Sequence, residues 1–206
     1  MTIGVLAVQG AIEEHVSMTK LAFKSLNMNG EVLWVKKPKQ LEEIQGLIIP
    51  GGESTVIGRI LETSGLLDAI KKFANDGKPI LGTCSGMILL AKDVYDRVVG
   101  KTDQSTLKLV DITVERNAFG HQSESFENDL DIPLLGEKKF RGVFIRAPVV
   151  HRLGDKVKTL CRLDERIVAV QQQNILATSF HPELTDDTRF HEFFLKKVTQ
   201  QTPLSD

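Results

Sequence analysis

Cysteine is scarce in this chain: Cys84 and Cys161 are the only two among 206 residues. They stand far apart, with no CxxC pair and no Cys/His cluster, so neither a disulfide framework nor a zinc site is expected. Both read as free thiols. Charge of one sign is also lacking, since 26 Lys and Arg balance 27 Asp and Glu. Without a basic field to grip phosphates or an anionic surface, neither nucleic acid nor a membrane is an expected partner. The opening MTIGVLAVQG carries no basic segment ahead of a short apolar run, which excludes a secretory or membrane-spanning reading and makes the chain cytoplasmic by expectation. Internal repeats and low-complexity segments are missing as well. At this length one well-buried core is expected, a single domain over residues 1–199, with 200–206 as a flexible tail.

What is present is an alternation of apolar runs of strand length with helix-like amphipathic stretches, the rhythm of a parallel sheet covered on both faces. Ile3 to Val8, Glu31 to Val35, Gly46 to Pro50 and Pro79 to Leu81 read as strands. Ile12 to Leu26 reads as a helix, Pro38 opens a short one through Ile44, and helical segments follow from Val56 to Asp76 with a break near Gly65. Gly77 is a natural terminator before the fourth strand. In the second half LVDITVERN, FRGVFIRAP, KVKTLCRL, RIVAVQQ and NILATSF are strand-like, with Gln172 to Asn174 able to turn a hairpin. These are expected as added, partly antiparallel strands on the same sheet. Asp186 to Val198 closes the fold as a helix with acidic residues at its start and lysines in its last turn.

Gly82-Thr83-Cys84-Ser85-Gly86 has the form of a nucleophile elbow with sulfur in place of serine oxygen. Small residues on both sides let a strand reverse into a helix and expose the central side chain at the helix N-terminus, where the thiolate is favoured. The Ser85 N–H then faces a developing oxyanion. A small thiol buried in a Gly-rich turn uses the same residues. For Cys161, between leucines in a strand, a packing role is preferred. A thiolate in acyl transfer needs a base with an orienting partner. His181 ends an apolar strand and is followed by Pro182 and Glu183, so Glu183 can hold one ring nitrogen while the other faces sulfur. His15, His121, His151 and His191 are read as surface or packing histidines. Pro50 to Thr55, PGGEST, also follows a strand; its adjacent glycines can offer a second oxyanion donor, and a plain Gly-rich turn fits equally. No phosphate-loop spacing occurs there.

Together these segments resemble the class I glutamine amidotransferases and, more narrowly, the glutaminase subunits of pyridoxal phosphate synthase. The resemblance is carried by IGVLAVQGAIEEH, IIPGGEST, GTCSGMILLAK, DITVERNAFGHQSESFE, FIRAP and FHPEL, in order from Ile3 to Leu184. VERNAFG and FIRAP are particular to the narrower group. It implies a three-layer, flavodoxin-like α/β fold, its mostly parallel sheet flanked by helices. It also implies hydrolysis of L-glutamine to glutamate and ammonia through a thioester, with Cys84 as nucleophile, His181 as base and acid, and Glu183 as orienting carboxylate. Gly51, Gly52 and Glu53 match the glutamine-binding loop, and Arg116, Ile145 and Arg146 the remaining binding positions. Gly52 and Ser85 take the oxyanion. The signs suit a zwitterionic amino acid, with Arg116 for its carboxylate and Glu53 for its ammonium.

The implied partner is a synthase subunit in a hetero-oligomer, which joins the ammonia to a pentose and a triose phosphate. Pyridoxal phosphate is then a product, and no cofactor or metal is expected in this chain. Two positions depart from the family: Ser85 replaces the usual Ala and His121 the usual Arg. Service to another synthase, or a catalytically silent subunit of the same fold, are the alternative readings.

Overall fold

The computed structural model describes residues 1–96, 99–119 and 125–201. Strands β1 (Thr2–Leu6), β2 (Glu31–Val35), β3 (Gly46–Ile49) and β4 (Ile80–Thr83) form where the apolar runs lie. All of β3 and β4 is buried, as parallel strands covered on both faces must be. Helix α1 (Ile12–Ser25) turns Val16, Met18, Ala22 and Phe23 inward, with Glu13 and Glu14 in its first turn and Lys24 in its last. A 3₁₀ turn spans Pro38–Glu43. Helices α2 (Ser54–Thr63) and α3 (Leu66–Asn75) are separated at Gly65, whose φ of +74° suits a residue without Cβ.

After the short α4 (Ser85–Leu90) come β5 (Ala91–Asp96), β6 (Gly100–Lys101), β7 (Val110–Arg116) and β8 (Ser125–Leu130). The chain continues through β9 (Phe140–Ile145), β10 (Val149–Leu153), β11 (Lys158–Leu163), β12 (Arg166–Gln172) and β13 (Ile175–Thr178) to α5 (Arg189–Gln201).

The main sheet runs β2-β1-β3-β4-β13-β12-β10-β7-β5-β6, with β11 attached to β12. From β2 to β13 every pairing is parallel; beyond β13 the pairings are antiparallel except β5 with β7. β12 and β13 form the expected hairpin, turning through Gln173 at φ +52°. One expectation is corrected: β9, the FRGVFIRAP strand, leaves the main sheet and pairs only with β8 in a two-stranded sheet. Strands β5, β6, β8 and β10 were not foreseen. The helix after Cys84 stops at Leu90 although GMILLAK contains no breaker, because Ala91 pairs with Val110 of β7. Helix α5 also starts later than expected: Asp187 folds onto Arg189, accepting its N–H at 3.1 Å and pairing its guanidinium at 2.6 Å. Thr199 to Gln201 continue that helix, and residues 202–206 lie outside the described residues.

One face of the sheet is covered by α2 and α3 through Ile57, Leu61, Leu66, Ile70 and Phe73. The other is covered by α1 and α5 through Val16, Phe23, Phe190 and Phe194. Phe140, Phe144, Phe180 and Phe190 pack ring to ring there, with Phe180 and Phe190 edge-on at 5.6 Å between centroids. Each such ring fully removed from water contributes about 1.5–3 kcal/mol, so the segment leading into His181 rests on a rigid floor. Among the described residues no helix is long and apolar enough to cross a membrane.

Candidate active site

β1 pairs with β2 on one side and β3 on the other, so the strand order reverses at β1. Crevices for ligands form outside the carboxyl ends of strands at such a point. Cys84 follows β4, two strands from β1 on the same edge of the sheet, and its N–H donates to the Thr178 carbonyl of β13 at 2.7 Å. Its backbone sits at φ +50°, ψ −106°, a conformation that costs a non-glycine residue about 1–3 kcal/mol. The flanking glycines make the turn possible. A Cβ at Gly82 would meet the Gly86 backbone at 2.8 Å, and one at Gly86 would strike the Ile49 carbonyl.

His181 is fixed by its N–H to the Val143 carbonyl of β9 at 2.8 Å, so the small second sheet helps place it. Pro182–Leu184 forms a 3₁₀ turn that brings Glu183 back under the ring, with Oε1 at 2.7 Å from Nδ1. Both side chains are buried. Burial opposes the charged imidazole, but hydrogen bonds to the Cys84 side chain and to Glu183 outweigh it and raise the His181 pKa to about 10. For Glu183, burial disfavours the carboxylate; His15 and His181 reverse that and hold it well below the usual carboxylate range. Glu183 thus backs the His181 ring, and that ring and the Cys84 sulfur face the same cavity.

The reading of His15 and His191 as surface or packing histidines is only half right. Both are wholly buried and join the polar line behind Glu183. His15 Nε2 lies 3.0 Å from Thr83 Oγ1 and 3.3 Å from Glu183 Oε2, while His15 Nδ1 is 3.0 Å from His191 Nε2. No sequence signal marks this, because His15 and His191 sit at ordinary inward positions of amphipathic helices. His151 is exposed and stacks on Tyr95, and His121 lies outside the described residues. Cys161 is buried in β11, where burial, with Asp131 adding, pushes its thiol up to about 11.

A cavity of about 400 Å³ opens beside the sulfur. Gly51, Gly52, Glu53, Cys84, Ser85, Arg116, Ile145, Arg146 and His181 all line it; Glu183 stands behind His181. Arg116, at the end of β7, approaches Glu53 Oε1 to 3.5 Å and donates to Gln104 Oε1 at 3.1 Å. An ion pair this long and this exposed is worth under about 1 kcal/mol, so a zwitterion can take both partners apart. Gln104, Ser54 and Asn117 were not anticipated at the site. Ser54 donates to Gln104 at 3.3 Å, and Asn117 lines the cavity at φ +52°.

Ile145 offers its carbonyl to the Cys84 thiol at 3.7 Å, and Arg146, next in the chain at φ +44°, lines the same cavity. Ser85 is the first residue of α4, where backbone N–H groups have no intrahelical acceptor. The Gly51 carbonyl accepts from Ala11 N–H at 3.0 Å, so the Gly52 N–H of that trans peptide points away from Ala11. Gln9 Oε1 accepts the Glu53 N–H at 2.8 Å. The loop after β1 therefore holds the PGGEST loop at two points.

Comparison with known proteins gives the family. Residues 5–200 match the SNO glutamine amidotransferase family model. The pyridoxal 5'-phosphate synthase subunit PdxT of Pyrococcus furiosus is 50% identical over 198 residues, covering 95% of this chain and 98% of the relative. That of Sulfolobus acidocaldarius is 51% identical over 198 residues, covering 96% and 99%. A crystal structure of a glutamine amidotransferase superposes with a TM-score of 0.84 at 46% identity, covering 96% of this chain and 98% of that one. With the family model spanning nearly the whole sequence and relatives half identical along their full length, the chain belongs to the SNO glutamine amidotransferase family.

Proposed function

We propose that this chain is the cytoplasmic glutaminase subunit of a pyridoxal 5'-phosphate synthase, a single domain that hydrolyses L-glutamine and passes ammonia to a synthase subunit. The observation that carries the reading is Cys84 and a Glu183-backed His181 at two adjacent strand ends, both opening on a cavity that bears Arg116 and Glu53. Arg116 takes the substrate carboxylate and Glu53 its ammonium, with Ile145 and Arg146 closing the cavity wall.

Cys84 Sγ attacks the side-chain amide carbon, and the carbonyl oxygen becomes an oxyanion held by the N–H groups of Ser85 and Gly52. His181 delivers its proton to the amide nitrogen, the C–N bond breaks, ammonia leaves and a thioester remains. His181 then takes a proton from water. The resulting hydroxide adds to the thioester carbon, the C–S bond breaks, and glutamate departs with Cys84 and a protonated His181 regenerated. Glu183 keeps the ring in register through both halves.

Steady-state ammonia release from glutamine, by the purified chain with and without the synthase subunit of a close relative, tests the proposal. Glutamine-dependent ammonia in the complex is expected. Its absence there, with the two subunits shown to associate, rejects the reading.

A further inference from the structure

We propose that His15 is a positioning residue of this site: its Nε2–H holds the second carboxylate oxygen of Glu183, and His191 selects the tautomer that makes this possible. The inference rests on the proposed glutaminase reading and deepens it.

A carboxylate that orients an imidazole must itself be kept from turning. Glu183 Oε1 is engaged by His181, but Oε2 is buried and has no well-aligned hydrogen bond among the described residues. His15 Nε2, at 3.3 Å, is the group that faces it, and the alignment of that nitrogen favours the Thr83 hydroxyl at 3.0 Å. The N–H is therefore shared between the hydroxyl and the carboxylate oxygen. Leaving a carboxylate oxygen buried with no donor at all costs more than an imperfect contact.

The tautomer follows from counting protons. Between His15 Nδ1 and His191 Nε2, 3.0 Å apart, one nitrogen must donate and the other accept. With the proton of His15 on Nε2, Nδ1 accepts from His191 Nε2–H, and the remaining His191 Nδ1 is a bare lone pair. That atom is buried with no hydrogen-bond partner among the described residues, and a bare lone pair there costs less than an unpaired N–H. With His15 neutral, the opposite assignment turns a lone pair of His15 toward the Glu183 carboxylate and leaves a buried N–H on His191 unpaired. Burial also lowers the His191 pKa to about 3, which keeps that ring neutral. His15 does not line the cavity, so its influence passes through Glu183 to the His181 ring and not to the bound substrate.

The test uses the complex with the synthase subunit and glutamine at saturating and limiting levels. H15L withdraws the donor, and H15Q supplies an amide N–H of similar reach. H15L is expected to lose kcat on the order of tenfold or more with KM unchanged, and H15Q to recover most of it. H191F, which keeps a ring but not its N–H, is expected to lose less than H15L; a wild-type kcat in H191F removes His191 from the arrangement. Wild-type kcat in a folded H15L, equal losses in H15L and H15Q, or a change confined to KM each overturn the role of His15. If H15L does not fold, H15N replaces it, since its shorter amide stops short of Glu183, and equal kcat in H15N and H15Q is the overturning result. A wild-type complex that releases no ammonia withdraws the glutaminase reading itself, and this inference with it; an active wild type beside an unimpaired H15L overturns this inference alone.

Discussion

Thr83 and Thr178 are register partners on the adjacent parallel strands β4 and β13, one residue before Cys84 and three before His181. That pairing places a sulfur and an imidazole from opposite halves of the chain within reach of one another. The ladder sets where the two strands end, and the His181 N–H to the Val143 carbonyl of β9 fixes the three residues beyond β13, so both anchors come from sheets.

The two cysteines should separate cleanly under a glutamine-like electrophile. With its pKa at about 11, Cys161 is thiolate at about one part in a thousand at pH 8. Cys84 opens onto the cavity beside His181. Peptide mapping after labelling is expected to find Cys84 modified and Cys161 spared; equal labelling would contradict the assignment of the nucleophile.

Gly51 should tolerate no side chain. A Cβ there would run into the His181 ring and approach Cys84 Cβ to 3.2 Å. Gly51→Ala is expected to fold with a stability loss of about 1–3 kcal/mol and to lose about a hundredfold in kcat through displacement of the imidazole. Denaturant midpoints and single-turnover rates measure the two effects separately.

His181→Asn should leave the fold intact and reduce turnover by about a thousandfold or more, because it removes the group that shuttles the proton. Glu183→Gln keeps the shape and loses the charge, so its deficit should be smaller. The reverse order of severity would show that His181 is not the base.

Acid stability should report His191. Its folded pKa lies at about 3 against an ordinary 6.5, so below pH 6.5 the unfolded chain binds a proton that the folded chain refuses. Stability should then fall by up to about 1.4 kcal/mol per pH unit from this group. The contribution of His181, raised to about 10, is fully present below pH 6.5 and is lost only as pH rises toward 10. That of Glu183, depressed from 4.5, is lost only further into acid. Between pH 6.5 and 4.5, urea unfolding of wild type should therefore show a steeper acid loss than His191→Phe; parallel curves would exclude the buried neutral imidazole.

Partner docking should switch the site on. The Gly51 carbonyl is tied to Ala11 and the Glu53 N–H to Gln9, so a subunit that grips Gln9, Gly10 and the start of α1 can reorient the Gly51-Gly52 peptide. Ammonia released to solvent at neutral pH is mostly protonated and no longer nucleophilic, which gives the coupling its purpose. The isolated chain should hydrolyse glutamine at least about tenfold more slowly than the complex, and Gln9→Ala should weaken the activation. Full activity of the chain alone would exclude this gating.

Much of the fold and the centre of the site were legible in the sequence because their signals are local. Apolar runs without alternation specify strands covered on both faces, glycines two residues either side of Cys84 permit its turn, and Pro182 shapes the His-x-Glu segment. Each depends on a few neighbouring residues. The tertiary structure alone decided the rest. The helix after Cys84 ends where β7 captures Ala91, β9 leaves the main sheet to pair with β8, Arg116 finds Glu53 and Gln104, and His15 and His191 meet behind Glu183. None of these has a local cause. A histidine on the inward face of α1 has the same sequence pattern whether it meets leucine or a carboxylate, and only the packing of α1 and α5 against the end of β13 determines which it meets.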